Sequence, residues 1–216
     1  MKLNRNFYEN SDVVEVAQSL VGRVLISKIN NKYVAARIVE TEAYRGFDDR
    51  ASHASRGKTP RNAPMFEAGG IAYTYLCYGI HTLFNVVTGK NGRGEAVLVR
   101  AAEPLVGIEH VLRRRRQGYL KTDVLNGPGK LTQGLGITLG CNRMDLTESQ
   151  LLSIEDDGFQ PHHISASHRV GVNYAGADAL KNFRFRLKEN AFAGADYTAN
   201  PKTVSKRIGS DRNKNT

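Results

Sequence analysis

Residues 45–70 carry few apolar side chains and have Gly, Pro, Asn and Ser throughout, and this stretch constrains the chain more than any other. It cannot supply a core face. A segment of that length inside a compact domain either lacks order or carries function, so the core must be built by what flanks it. Upstream, Val13, Val14, Val16, Ala17 and Leu20 recur at helical spacing behind Ser11 or Asp12, either of which can cap a helix. Residues 23–29 and 33–44 then read as strands joined at Asn30-Asn31, because Asn tolerates positive φ.

Downstream, residues 71–77, 83–88 and 95–102 read as further strands, interrupted at Tyr78-Gly79-Ile80-His81 and by a polar turn from Gly89 to Gly94. Residues 105–116 and 128–135 read as helices, and 151–155, 169–173 and 183–187 as later strands. Neither an internal repeat nor a Pro-rich linker divides the sequence. The expectation is one mixed α+β domain over residues 1–200, with a mostly antiparallel sheet, followed by a basic, flexible tail over 201–216.

The charge narrows the partners. Lys and Arg total 31 against 21 acids, giving a net charge of +10 and an isoelectric point near 9.7. A chain this basic is drawn to polyanions. The excess is clustered at Arg113–Arg116, at Arg50, Arg56, Lys58 and Arg61 in the long loop, and at Lys202, Lys206, Arg207, Arg212 and Lys214 in the tail. Any one run is usually a solvated face; their sum points to phosphate. The two cysteines, Cys77 and Cys141, form no CxxC pair, and His162, His163 and His168 match no common ligand spacing, so no metal is expected. No apolar run approaches a membrane span, and the first residues lack the apolar stretch of a secretory signal. The expected location is the cytoplasm or nucleoid, or the nucleus of a eukaryote.

Chemistry-bearing residues concentrate between Glu40 and Arg100. On a strand, Glu40, Glu42 and Tyr44 share one face, which places a carboxylate beside an aromatic ring. That pairing suits a general base next to a stacking platform, although a solvent-facing strand edge reads the same way. Tyr73, Tyr75 and Tyr78 gather three of nine tyrosines; Tyr78 falls at a turn that Gly79 permits, where a side chain can wedge between base pairs. Ordinary cross-strand packing of aromatic rings is the plain alternative. His53, alone in the polar loop, fits a structural role as well as a functional one. On composition and spacing, a catalytic and a non-catalytic nucleic-acid-binding module both remain open.

Taken together these stretches resemble the alkyladenine (3-methyladenine) DNA glycosylase family, the mixed α/β type shared by mammals and many bacteria. The matching runs are Arg37-Ile38-Val39-Glu40-Thr41-Glu42-Ala43-Tyr44, Thr59-Pro60-Arg61-Asn62, Tyr73 to Gly79, Val99 to Pro104, Asn126 to Leu131 and Arg169-Val170-Gly171-Val172. The resemblance implies a single domain around a curved antiparallel sheet with flanking helices and a protruding β-hairpin, with no cofactor. It implies a monomer that acts on double-stranded DNA containing damaged purines and hydrolyses the bond between base and sugar. It places Glu42 as general base and Arg100 beside the attacking water, with the Val170 carbonyl as a further contact. Tyr44, His53 and Tyr75 match the pocket for the flipped base, Asn85 the residue that disfavours guanine, and Tyr78 the side chain inserted into the vacated stack. Two departures stand out: His81 replaces an expected aromatic, and the Gly89–Gly94 turn is about one residue longer than in mammalian relatives.

Overall fold

The structure, a computed structural model, describes residues 1–9 and 12–193. A short helix α1 (Arg5–Tyr8), not anticipated from periodicity, is capped by Asn4. Helix α2 (Val13–Leu20) starts at Asp12, whose carboxylate accepts from the Val14 amide at 2.8 Å, and it buries Val13, Val16, Ala17 and Leu20. Ser11, the other candidate cap, lies outside the described residues, as does the basic tail from 201.

Eight strands form one curled sheet: β1 (Val24–Ile29), β2 (Lys32–Tyr44), β3 (Ala72–Cys77), β4 (His81–Thr88), β5 (Glu95–Val106), β6 (Leu152–Glu155), β7 (Ile164–Ser167) and β8 (Arg184–Leu187). Their order is β3-β4-β5-β2-β1-β6, with β8 bridging β2 and β7, and every pairing is antiparallel. The β1–β2 turn is made by Asn30 and Asn31 at φ 55° and 56°. Long β2 is the trunk. β5 runs along one edge, while β1 takes the first half of the other edge and β8 pairs with Glu40–Glu42. Two helices, α3 (Ile108–Arg115) and α4 (Pro128–Leu135), complete the mixed α+β domain. Leu20, Leu25, Ile38, Phe84, Leu125 and Leu131 belong to the main core cluster and are fully buried.

Three boundaries differ from the sequence reading. Leu105 and Val106 extend β5 instead of opening a helix. The reset comes at Gly107 (φ 72°), where a Cβ would lie 2.2 Å from the Tyr33 carbonyl oxygen, so only glycine allows the chain to turn into α3. Residues 169–173 are not a strand. Gly171 (φ 77°) breaks the extended path, and a 3-10 segment follows over Asn173–Leu180. β7 was not foreseen, since Ile164-Ser165-Ala166-Ser167 has a single large apolar residue.

The loop of residues 45–70 is ordered. Asp49 forms a fully buried ion pair with Arg169, whose Nη2 reaches Asp49 Oδ1 at 2.8 Å. Asn62 donates through Nδ2 to the carbonyls of His53 (2.8 Å) and Gly57 (2.9 Å), and a 3-10 turn at Ala63–Phe66 buries Met65 and Phe66. The Arg113–Arg116 run is partly structural: Arg114 donates to the carbonyls of Gly134 and Ile29, and Arg115 to that of Val124. Among the described residues, no helix is long and apolar enough to cross a membrane, and no cluster of His, Cys, Asp and Glu could hold a metal ion.

Candidate active site

Strand register assembles a row across four strands. Glu42 on β2 pairs with Leu98 on β5, Leu98 with Asn85 on β4, and Asn85 with Tyr73 on β3. Directly paired residues project to the same face of a sheet. The ordered loop folds over this face, and between them lies a cavity of about 470 Å³. Tyr44, His53, Tyr75, Asn85, Arg100 and Tyr78 all line it. That volume is within the range of small-molecule sites.

Glu42 stands behind this wall, its side chain 0% exposed. Its Oε1 accepts the Val170 amide at 2.7 Å; its Oε2 accepts the Tyr44 hydroxyl at 2.8 Å and Arg100 Nη1 at 3.3 Å. Each carboxylate oxygen accepts two hydrogen bonds, so Oε1 keeps one lone pair open. The alternative reading of Glu42, a solvent-facing strand edge, does not hold, because β8 pairs with β2 at this point. Val170 therefore meets the carboxylate through its N–H, a contact the sequence reading did not foresee.

Arg100 owes its position to a bulge. Ala101 pairs with Glu40 and Val99 with Thr41, which leaves Arg100 as the extra residue on β5. Burial disfavours its charge, yet Glu42 and Glu40 outweigh that and hold the guanidinium more firmly protonated than usual. Tyr44 is driven the same way: burial first, then the neighbouring Glu42 charge, push its phenol well above the ordinary value, so it remains a donor.

The aromatic wall is a cluster of three rings. His53 lies edge-on to Tyr75 with centroids 4.6 Å apart, and Tyr73 and Tyr75 are 5.3 Å apart at a tilt of 32°. His53 Nδ1 is 3.1 Å from the Tyr73 hydroxyl. The groups packed around the imidazole remove water from it, Arg61 adds repulsion, and its pKa falls below the ordinary 6.5. Burial lifts the Tyr73 phenol to about 12. Asn85 is buried and donates through Nδ2 to the Tyr73 carbonyl at 3.0 Å. Tyr78 occupies the tip of the β3–β4 hairpin at φ 51°, followed by Gly79 at φ 74°, and is 91% exposed.

Residues 6–191 match the family described as Methylpurine-DNA glycosylase (MPG). The chain belongs to this family. A relative from Methanocella arvoryzae is 42% identical over 97% of the chain and 98% of its own length. One from Carboxydothermus hydrogenoformans is 45% identical over 89% of the chain and 98% of its length, and one from Chlamydia felis 44% over 80% and 89%. All three bear the provisional name 3-methyladenine DNA glycosylase. The matched regions thus take up most of this chain and of each relative.

Several residues at this glycosylase's site escaped sequence reasoning. Arg61, in the Thr59–Asn62 motif, lines the cavity, donates to the Leu76 carbonyl at 3.0 Å and lies 5.5 Å from the Tyr75 ring centroid. Tyr174 closes another side and reaches the Ala51 carbonyl at 3.3 Å. The motif and the basic loop mark Arg61 in the sequence without giving it a place in the cavity, and Tyr174 carries no local signal. His81 opens β4 against α4, where a Cβ on Gly129 would stand 3.1 Å from the imidazole ring. In the 89–94 turn, Arg93 pairs with Glu95, the first residue of β5, at 3.1 Å.

Proposed function

We propose that the chain removes damaged purines from duplex DNA by flipping the nucleotide into the 470 Å³ cavity and hydrolysing its N-glycosidic bond. One observation carries the reading: a buried carboxylate, Glu42, is fixed by three donors directly behind an aromatic cavity. Leaving a carboxylate desolvated costs several kcal/mol before partners compensate, and a module that only binds DNA has no use for it. In the reaction, the free lone pair of Glu42 Oε1 orients a water and takes its proton. The water oxygen bonds to the sugar C1′ while the C1′–N bond breaks, its electron pair leaving with the purine. Arg100 and the Val170 segment hold the carboxylate in place.

A 3-alkylated adenine is cationic and departs readily; hypoxanthine and ethenoadenine ask more of the site. Tyr44, His53 and Tyr75 stack on and edge the base, and base–aromatic stacking is worth roughly 1–3 kcal/mol, close to what extrusion costs. Asn85 crowds the exocyclic amino group of guanine, and Tyr78 enters the gap left in the helix. No lysine or N-terminal amine lines the cavity among the described residues, so the reaction proceeds by hydrolysis without an imine or strand cleavage. The enzyme works as a monomer in the compartment that holds the chromosome, and its binding weakens steeply with salt as phosphate contacts release counterions.

The test is a base-release screen on duplexes that each carry 3-methyladenine, 7-methylguanine, hypoxanthine or ethenoadenine. Free purine with an intact strand supports the reading. Release of no purine from any lesion at low salt contradicts it, and a borohydride-trapped adduct contradicts the hydrolytic route.

A further inference from the structure

Glu40 has no part in that mechanism, yet it is as deeply buried as the general base. It is 2% exposed, and its Oε1 accepts Arg100 Nε at 2.7 Å and Arg184 Nε at 2.7 Å. It faces Arg186, its cross-strand partner on β8, as well. Burial works against its charge, but Arg100 and Arg184 prevail and hold the carboxyl below the usual range. Arg100 therefore stands between two carboxylates. The contact to Glu40 is short, while that to Glu42 is a single Nη1 at 3.3 Å.

A guanidinium beside a carboxylate ordinarily closes into a two-pronged pair. Such a pair would occupy Glu42 oxygens and, as an opposite charge in close contact, lower its basicity. Both outcomes oppose a general base. Resting on the hydrolytic reading above, we propose that Glu40 is a positioning residue for base release: it anchors Arg100 by Nε, so that the guanidinium meets Glu42 through one nitrogen and leaves the base free for water. The double bulge in the β2–β5 pairing, between Ile38 and Glu40 and again between Glu40 and Thr41, is the backbone device that brings the three side chains together. Arg184, reaching in from β8, fixes the anchor from behind.

Glu42 is faced by Tyr44 on its own strand, Arg184, its cross-strand partner on β8, Arg100 on β5, Arg169 and the Val170 amide, Tyr75 on β3 and Tyr174. In Glu40→Gln none of these changes identity; Arg100 and Arg184 both lose the Glu40 charge, and Arg100, already in contact with Glu42, closes on it. A closer cation stabilises the ionised carboxylate, so the acid limb of the rate profile moves to lower pH while the plateau rate falls.

The experiment is single-turnover base release against pH, with lesion-duplex affinity and thermal melting measured beside it, on wild type, Glu40→Gln, Glu40→Asp, Glu42→Gln and Glu40→Gln/Glu42→Gln. The expected result for Glu40→Gln is a plateau rate down about tenfold with affinity within about twofold, and an acid limb displaced downward. Glu40→Asp, which retains the charge, recovers part of the rate and the wild-type limb. In the double variant Glu40→Gln adds no further loss, because its effect passes through Glu42. An unchanged Glu40→Gln rate overturns the proposal, as does a loss that follows melting with an unmoved limb. Should Glu40→Gln fail to fold, Glu40→Asp decides: a rate as low as that of Glu42→Gln overturns it, and a partial rate with the wild-type limb upholds it. A silent wild type overturns the hydrolytic reading too, whereas an active wild type with an indifferent Glu40 overturns this inference alone.

Discussion

Tyr44 donates its hydroxyl to Oε2 of Glu42 across 2.8 Å, two residues apart on the same face of β2. The spacing that makes residues i and i+2 neighbours on a strand therefore supplies both the buried carboxylate and one of its donors. The same tyrosine presents its ring to the cavity.

Tyr44→Phe keeps the ring and removes the donor. Hydrogen bonds to charged groups contribute about 1.5–3 kcal/mol, so the variant is expected to lose stability in that range in a urea titration. Base release should slow while affinity for lesion DNA stays close to wild type. Stability equal to wild type would show that the hydroxyl does not hold the carboxylate.

Asp49 and Arg169 are each 0% exposed and paired, and Arg169 also donates to the Ala43 carbonyl at 2.9 Å. Removing one partner of a buried pair typically costs about 3–5 kcal/mol. Asp49→Ala is expected to fall in that range by chemical denaturation. Because Val170 follows Arg169, base release should drop with it, more than affinity does.

His53 carries a sign that can be worked out. Its folded pKa lies below the unfolded value near 6.5, through desolvation and then Arg61. As pH falls through that value the unfolded chain takes up the proton first. The stability this histidine contributes is thus fully present above pH ~6.5 and declines on acidification. His53→Gln should flatten the stability slope between about pH 7 and 5; an identical slope in both proteins would contradict the assignment.

Tyr78 is 91% exposed and already in the left-handed region. Tyr78→Gly should leave melting unchanged or raise it slightly, because glycine accepts that conformation freely. Flipping, read from a fluorescent base analogue, should be lost far more than nonspecific affinity. Flipping at the wild-type level would remove the wedge role.

Much of the fold was legible because it follows from periodicity and turn chemistry. Asp12 capping α2, the Asn30-Asn31 turn and the Pro128 helix start are local rules that the fold obeys. Residues 105 and 106 were misassigned because two apolar side chains fit a helix face and a strand end equally, and the deciding contact, Gly107 against Tyr33, is long-range. The site was legible where its residues share a strand, as Glu42 and Tyr44 do, or a hairpin, as Tyr73, Tyr75 and Tyr78 do. It was not legible where pairing spans the chain. Nothing local in Glu40 announces that Arg184, 144 residues away, will meet it in the core. The run Arg113–Arg116 was legible as charge alone, since a charge cluster does not reveal which guanidiniums are tied to backbone carbonyls.

The central claim is that one buried carboxylate activates water for attack on the sugar. Single-turnover excision of 3-methyladenine from a duplex, wild type against Glu42→Gln, tests it most directly. The account predicts that Glu42→Gln binds the lesion duplex as wild type does and releases base more slowly by a factor of about 10²–10⁴, the contribution expected of a general base. Release at the wild-type rate by a folded Glu42→Gln protein would contradict it.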